Sequence, residues 1–137
     1  METVLRVILG LTGLAMVVIG LNTGLGGMPT LGWQFPSDAV PTSASIDFAR
    51  HDNNVRFFAA TFAGMGLCMA AAALRFRIFA PIAAAFLLAI ALGGVARLIQ
   101  PGYAPLTDPA LLPSVIAEIV AGPLLALWTV VVWRRRQ

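Results

Sequence analysis

Arg56, Arg97 and Glu118 are ionisable side chains placed where such groups are rare. Each stands inside or at the edge of a long apolar run, and Glu118 is the one acidic residue clearly within such a run. An ionised group at the centre of a membrane helix costs roughly 2.5–3.5 kcal/mol, so it is expected to face a partner or water. Three chemistries fit the trio. A buried ion pair would fix helix register. Two guanidinium groups against one carboxylate leave a positive excess, which suits the phosphate or carboxylate of a ligand or anionic lipid. A proton-transfer site would draw its acid or base from Glu118, Asp52 and His51.

The other reactive residues point to no chemistry of their own. His51 is the only histidine and Cys68 the only cysteine, so no internal disulfide forms and no set at metal-ligand spacing is present. His51 and Asp52 with Asp47 make a cation pattern of low specificity, for which solvated loop polarity is the simpler account. The Gly24–Gly27 stretch lacks the preceding strand and Lys-Ser/Thr pair of a phosphate loop. Ser114 stands four residues before Glu118, within hydrogen-bonding range on a helix, but no histidine accompanies it as a base. No catalytic residue, metal or cofactor is therefore assigned.

The elements that must position the trio follow from composition. Of 137 residues, 59% are hydrophobic and only 11% charged, too little polar surface to solvate a soluble domain. The net charge of +3 comes from nine arginines that form no basic stripe, which argues against nucleic acid as a partner. A span needs about 20 apolar residues. Four stretches qualify, near 4–21, 55–74, 78–99 and 111–133, making one all-α domain, a four-helix transmembrane bundle. The first run is longer than a signal-peptide core and no small-x-small site follows it, so it is expected to stay in the membrane.

Loop 22–54 is long and carries Gly26-Gly27, Pro29, Pro36 and Pro41. Its second half predicts a short surface helix capped by Thr42 or Ser43 and leading straight into the second span, with Ile46, Phe48 and Ala49 on one side and Asp47, Arg50 and His51 beside them. The stretch from Gly24 to Pro36, with Trp33 and Phe35, reads as a compact loop over the bundle.

Arginines next to spans are retained on the cytoplasmic side. Arg6, Arg75, Arg77 and the triplet Arg134, Arg135 and Arg136 fall on one side; Arg50, Arg56 and Arg97 share the other with Asp38, Asp47, Asp52 and Asp108. Both termini are thus expected in the cytoplasm, with loop 22–54 outside. Trp133, Trp33 and Tyr103 suit interfacial anchoring. Glu118 then lies on the order of 5–10 Å below the outer boundary, at the level of Arg97 and near Arg56.

Lipid tails remove the hydrophobic drive between helices, so association rests on small residues and hydrogen bonds. Gly10, Gly13, Gly20 and Gly24 recur on the first span, Ala59, Ala60, Ala63, Gly64, Gly66 and Ala70 on the second, and Gly93-Gly94 on the third. A tight bundle follows, without a wide pore. Pro123 should kink or loosen the fourth span, whereas Pro81 falls in the first turn of the third.

Asn54-Val55-Arg56-Phe57-Phe58, then Gly93-Gly94-Val95-Ala96-Arg97 before Pro101-Gly102, then Glu118 ahead of Pro123, resemble the family called domain of unknown function 4345. The likeness covers roughly residues 53–128. It implies a small four-span protein of the bacterial cytoplasmic membrane, distantly similar to the DoxX-like group, with a recurring role for Arg56, Arg97 and Glu118 and no established reaction. The expected function is a non-enzymatic accessory or assembly subunit or a lipid-binding protein. Its partners would be the bilayer, a larger membrane complex or a second copy, and an anionic lipid. A membrane enzyme or carrier for an anionic or lipid substrate is the alternative.

Overall fold

The computed structural model of the chain describes residues 2–30, 46–99, 106, 107, 109 and 111–137, with Asp47 described in its backbone alone. The expectations for Trp33, Thr42, Ser43 and Tyr103 lie outside the described residues, as does any side-chain role for Asp47. Every regular element among them is helical: α1 (Glu2–Gly26), α2 (Ile46–Leu74), α3 (Phe76–Leu98) and α4 (Leu112–Arg134). All four are long and apolar enough to cross a membrane. The chain is a small multi-pass integral membrane protein.

The helices are longer than hydropathy predicts at two places. Polar Asn22 and Thr23 read as the end of the first span, yet α1 runs on to Gly26 and closes at Gly27, whose φ is +73° and whose N–H donates to the Thr23 carbonyl at 2.7 Å. The short helix expected near Ile46 to lead straight into the second span does so without a break, as the first part of α2, continuous through Asp52, Asn53 and Asn54. Between them, residues 28–30 form a single tight turn in which the Thr30 N–H reaches the Gly27 carbonyl.

Small residues set the packing of α1 on α2. A Cβ on Gly13 would stand 2.6 Å from the Gly66 carbonyl oxygen, and one on Gly66 equally close to the Gly13 oxygen. Gly20 meets the Ala59 carbonyl in the same way. The two backbones therefore touch, antiparallel, along most of α1. Arg75 alone joins α2 to α3, which packs on α4 in turn. Leu5, Leu9, Met69, Ala72, Phe76, Ala80, Leu87 and Ala126 fill the core, while Leu11, Leu14, Val18, Leu92, Leu124 and Leu127 point outward, as a lipid solvent allows.

One face of the bundle, here the terminal face, carries both termini and Arg75; the distal face carries the other helix ends. At the terminal face Arg6 donates to the Ala73 and Leu74 carbonyls at the end of α2, at 2.6 and 3.0 Å. Glu2 pairs with Arg136 at 2.6 Å, tying the start of α1 to the end of α4. Pro81 falls in the second turn of α3 rather than the first, because α3 begins at Phe76. Its missing N–H leaves the Arg77 carbonyl without its helical donor. The indole Nε1 of Trp133 donates to that oxygen instead, at 3.0 Å.

Candidate functional site

The distal half of α4 is shaped by Pro123. The proline has no N–H to offer the Ile119 carbonyl, and the helix widens over Ala117–Ala121 into a π-helical turn, with the Gly122 N–H donating back to Ala117. The expected loosening is thus a local widening within a continuous helix. Gly94 of α3 lets this wider turn approach: a Cβ there would stand 2.7 Å from both the Glu118 Cβ and the Ile119 Cγ2. Glu118 is held against α3 as a result.

Arg97, in the last turn of α3, reaches across to α4. Its Nη2 lies 3.2 Å from Glu118 Oε1, and its Nη1 donates to Ser114 Oγ at 3.2 Å. The Ser114 hydroxyl donates its own hydrogen bond to the Leu111 carbonyl at 2.8 Å, so it orients Arg97 rather than Glu118. The acid is the deeper partner, with 19% of its side chain exposed against 44% for Arg97. Glu118 Oε2 is buried and has no hydrogen-bond partner among the described residues.

That pair closes one end of a cavity of about 270 Å³. Phe58, Phe62 and Met65 of α2 form one wall and Ile90 and Gly93 of α3 the other, with Thr61 among them. Gly93 has open space where a side chain would stand. Phe58, Gly93 and Arg97 are exposed, so the cavity is a groove open to its side. From Arg97 to Ile90 it runs roughly 10 Å along the helix axis, polar at the distal face and apolar toward the middle of the bundle.

Arg56 does not share the groove. Its Nε donates to Asp52 Oδ2 at 2.7 Å, and its Nη atoms donate to the Leu25 carbonyl at 2.5 Å and the Gly26 carbonyl at 3.3 Å. Asp52 Oδ1 accepts the Met28 N–H at 2.6 Å. The two side chains together cap the end of α1, and Gly27 between them has no room for a Cβ. The trio expected from depth thus divides: Arg97 and Glu118 come together, while Arg56 faces α1 because its helix turns that side away from α4. Among the described residues the groove holds one cation and one anion, without the positive excess expected of two arginines.

His51 is exposed on α2, outside the lining of the groove. Among the described residues no three His, Cys, Asp or Glu side chains come together in a way that could hold a metal. Sequence reasoning missed Ser114 as a partner of Arg97. It also missed that Phe58, Phe62, Ile90 and Gly93 line one groove, whose only signal was their i, i+3, i+4 spacing on two neighbouring helices. Asp52 and Arg56, four residues apart, did carry a legible helix-pair signal.

Neither a search of curated proteins nor one of solved structures returned a match. A family model does match, over residues 4–129, nearly the whole span of the four helices. The chain belongs to the family described as domain of unknown function (DUF4345).

Proposed function

We propose that the protein is a non-enzymatic lipid-binding protein whose groove takes a membrane amphiphile from one leaflet. The observation that carries this reading is the joining of an apolar groove to a single ion pair at its distal end. A chain would lie against Phe62, Met65 and Ile90 with its head at Arg97, the order in which a lipid presents tail and head to a bilayer. At about 270 Å³ the groove is smaller than most ligand pockets, so part of the occupant would stay in the bilayer.

Among the described residues the lining supplies no nucleophile with a base beside it. Thr61 Oγ1 donates to the Phe57 carbonyl, and Ser114 is turned to Leu111 and Arg97. A binding role therefore has more support than the enzyme or carrier alternative. The six arginines at Arg6, Arg75, Arg77 and 134–136 favour a cytoplasmic terminal face. The groove then opens to the extracytoplasmic leaflet of a bacterial inner membrane. An accessory role in a larger complex would use the same groove or the outward apolar faces.

Gly93→Trp tests the reading, since its side chain would fill the groove from a position with open space. Native mass spectrometry in mild detergent should find a phospholipid retained on the wild type and lost from the variant, with both melting within a few degrees of each other. A wild type that carries no lipid rejects the proposal.

A further inference from the structure

The positive excess that the groove lacks stands at the other end of the molecule. α1 and α4 touch only lightly, and at the terminal face a cavity of about 240 Å³ separates the start of one from the end of the other, lined by Glu2, Val132, Arg135 and Arg136. Glu2 is the one acidic side chain at that face among the described residues. Its carboxylate is already shared, with Arg136 Nη2 at 2.6 Å and Arg6 Nη1 at 3.8 Å. Arg77 reaches in from α3 and donates to the Arg136 carbonyl at 3.1 Å. Arg135 is exposed and has no partner among the described residues. The lining thus carries two guanidinium groups against one carboxylate, with those of Arg6 and Arg77 beside it. Depth puts these groups among lipid heads: the 23 residues of α4 span about 34 Å, the hydrocarbon layer about 30 Å, so the helix leaves that layer as it reaches Arg134.

We infer that this cavity binds the phosphate of an anionic phospholipid from the leaflet at the terminal face, with Arg135 and Arg136 as its donors. The free guanidinium of Arg135 matches two phosphate oxygens at once. Arg136, with 61% of its side chain exposed, keeps donors besides the one turned to Glu2. A head of net negative charge offsets the excess, whereas a zwitterionic head would bring a further cation to it. The volume suits a head-group phosphate alone, and the acyl chains stay in the bilayer. Arg134 carries the same charge one residue earlier but does not line the cavity, which separates a built site from a merely basic surface.

The experiment titrates delipidated full-length protein in mild detergent with phosphatidylglycerol or phosphatidylcholine of the same acyl chains and counts bound lipid by native mass spectrometry. Gly93→Trp fills the groove, so in that background the terminal face is read by itself, whatever the groove binds. Phosphatidylglycerol should bind there about tenfold more tightly than phosphatidylcholine. Arg135→Gln should weaken it about tenfold, the scale of a hydrogen bond between charged groups, and Arg134→Gln by less than about twofold. Equal losses in the two arginine variants, or equal binding of the two lipids, overturn the inference and leave the groove reading untouched. Displacement of the lipid by an equimolar amount of inorganic phosphate also overturns it, since the cavity would then take a free anion. If Gly93→Trp does not fold, the same pair of arginine variants in the otherwise native chain decides, because Arg135 makes no side-chain contact whose loss could unfold it.

Discussion

Arg6 and Arg56 occupy opposite ends of the α1–α2 pair, and each closes the helix that does not carry it. Arg6 of α1 sits on the last carbonyls of α2, and Arg56 of α2 sits on the last carbonyls of α1. Helix C-termini leave carbonyls unpaired and carry partial negative charge, so a guanidinium there supplies both donors and opposite charge. In a membrane the need is greater, because no water reaches a carbonyl set below the interface.

Arg56→Ala should therefore destabilise the end of α1 without touching the groove. Loss of its charged hydrogen bonds is expected to cost about 2–3 kcal/mol and to leave Asp52 with the Met28 N–H. Hydrogen exchange at Gly27, Met28 and Thr30 should accelerate, and lipid retention by the folded protein should not change. A variant that loses lipid as readily as Gly93→Trp would place Arg56 back in the site.

Contact between the α1 and α2 backbones makes two glycines of one helix behave oppositely. Gly66→Ala puts a methyl 2.6 Å from the Gly13 oxygen and should lower stability by about 1–3 kcal/mol, as overpacking does. Gly64→Ala meets nothing within 4 Å and should raise it by up to about 1 kcal/mol through helix propensity. Thermal melts in one detergent compare the two.

Trp133 and Pro81 should be coupled. Trp133→Phe removes the donor to the Arg77 carbonyl and is expected to cost about 1–2 kcal/mol. In a Pro81→Ala background the restored N–H can serve that oxygen, and the same change should cost much less. A double-mutant cycle on melting free energies measures the difference. Additive effects would mean that the indole bond does not replace the lost helical one.

The pairing of Arg97 with Glu118 was legible in the sequence because two opposite charges stood in successive apolar runs joined by a short loop, which makes the runs antiparallel neighbours. The seat of Arg56 on the end of α1 was not. Hydropathy ended α1 near Leu21 and began α2 near Val55, since Asn22, Thr23, Asp52, Asn53 and Asn54 are polar, and a helix end sustained by a side chain from its neighbour leaves no mark in hydropathy. Pro81 was misplaced by the same kind of error, a helix start set two residues late. Pro123 announced a disturbance in α4, but a proline alone does not say whether a helix will bend or widen. Here the approach allowed by Gly94 goes with widening, and a count of 3.6 residues per turn carried through Ala117–Ala121 misorients the residues beyond by about 100°.

The side opening of the groove bears on kinetics. Phe58, Gly93 and Arg97 lie exposed along it, so an occupant needs no helix to move aside in order to enter or leave. Exchange would proceed by lateral diffusion within one leaflet, without passage through water. Dwell time would then be governed by the contacts made within the groove, and the lipid that fits it best would be recognised by its slower departure rather than its faster arrival.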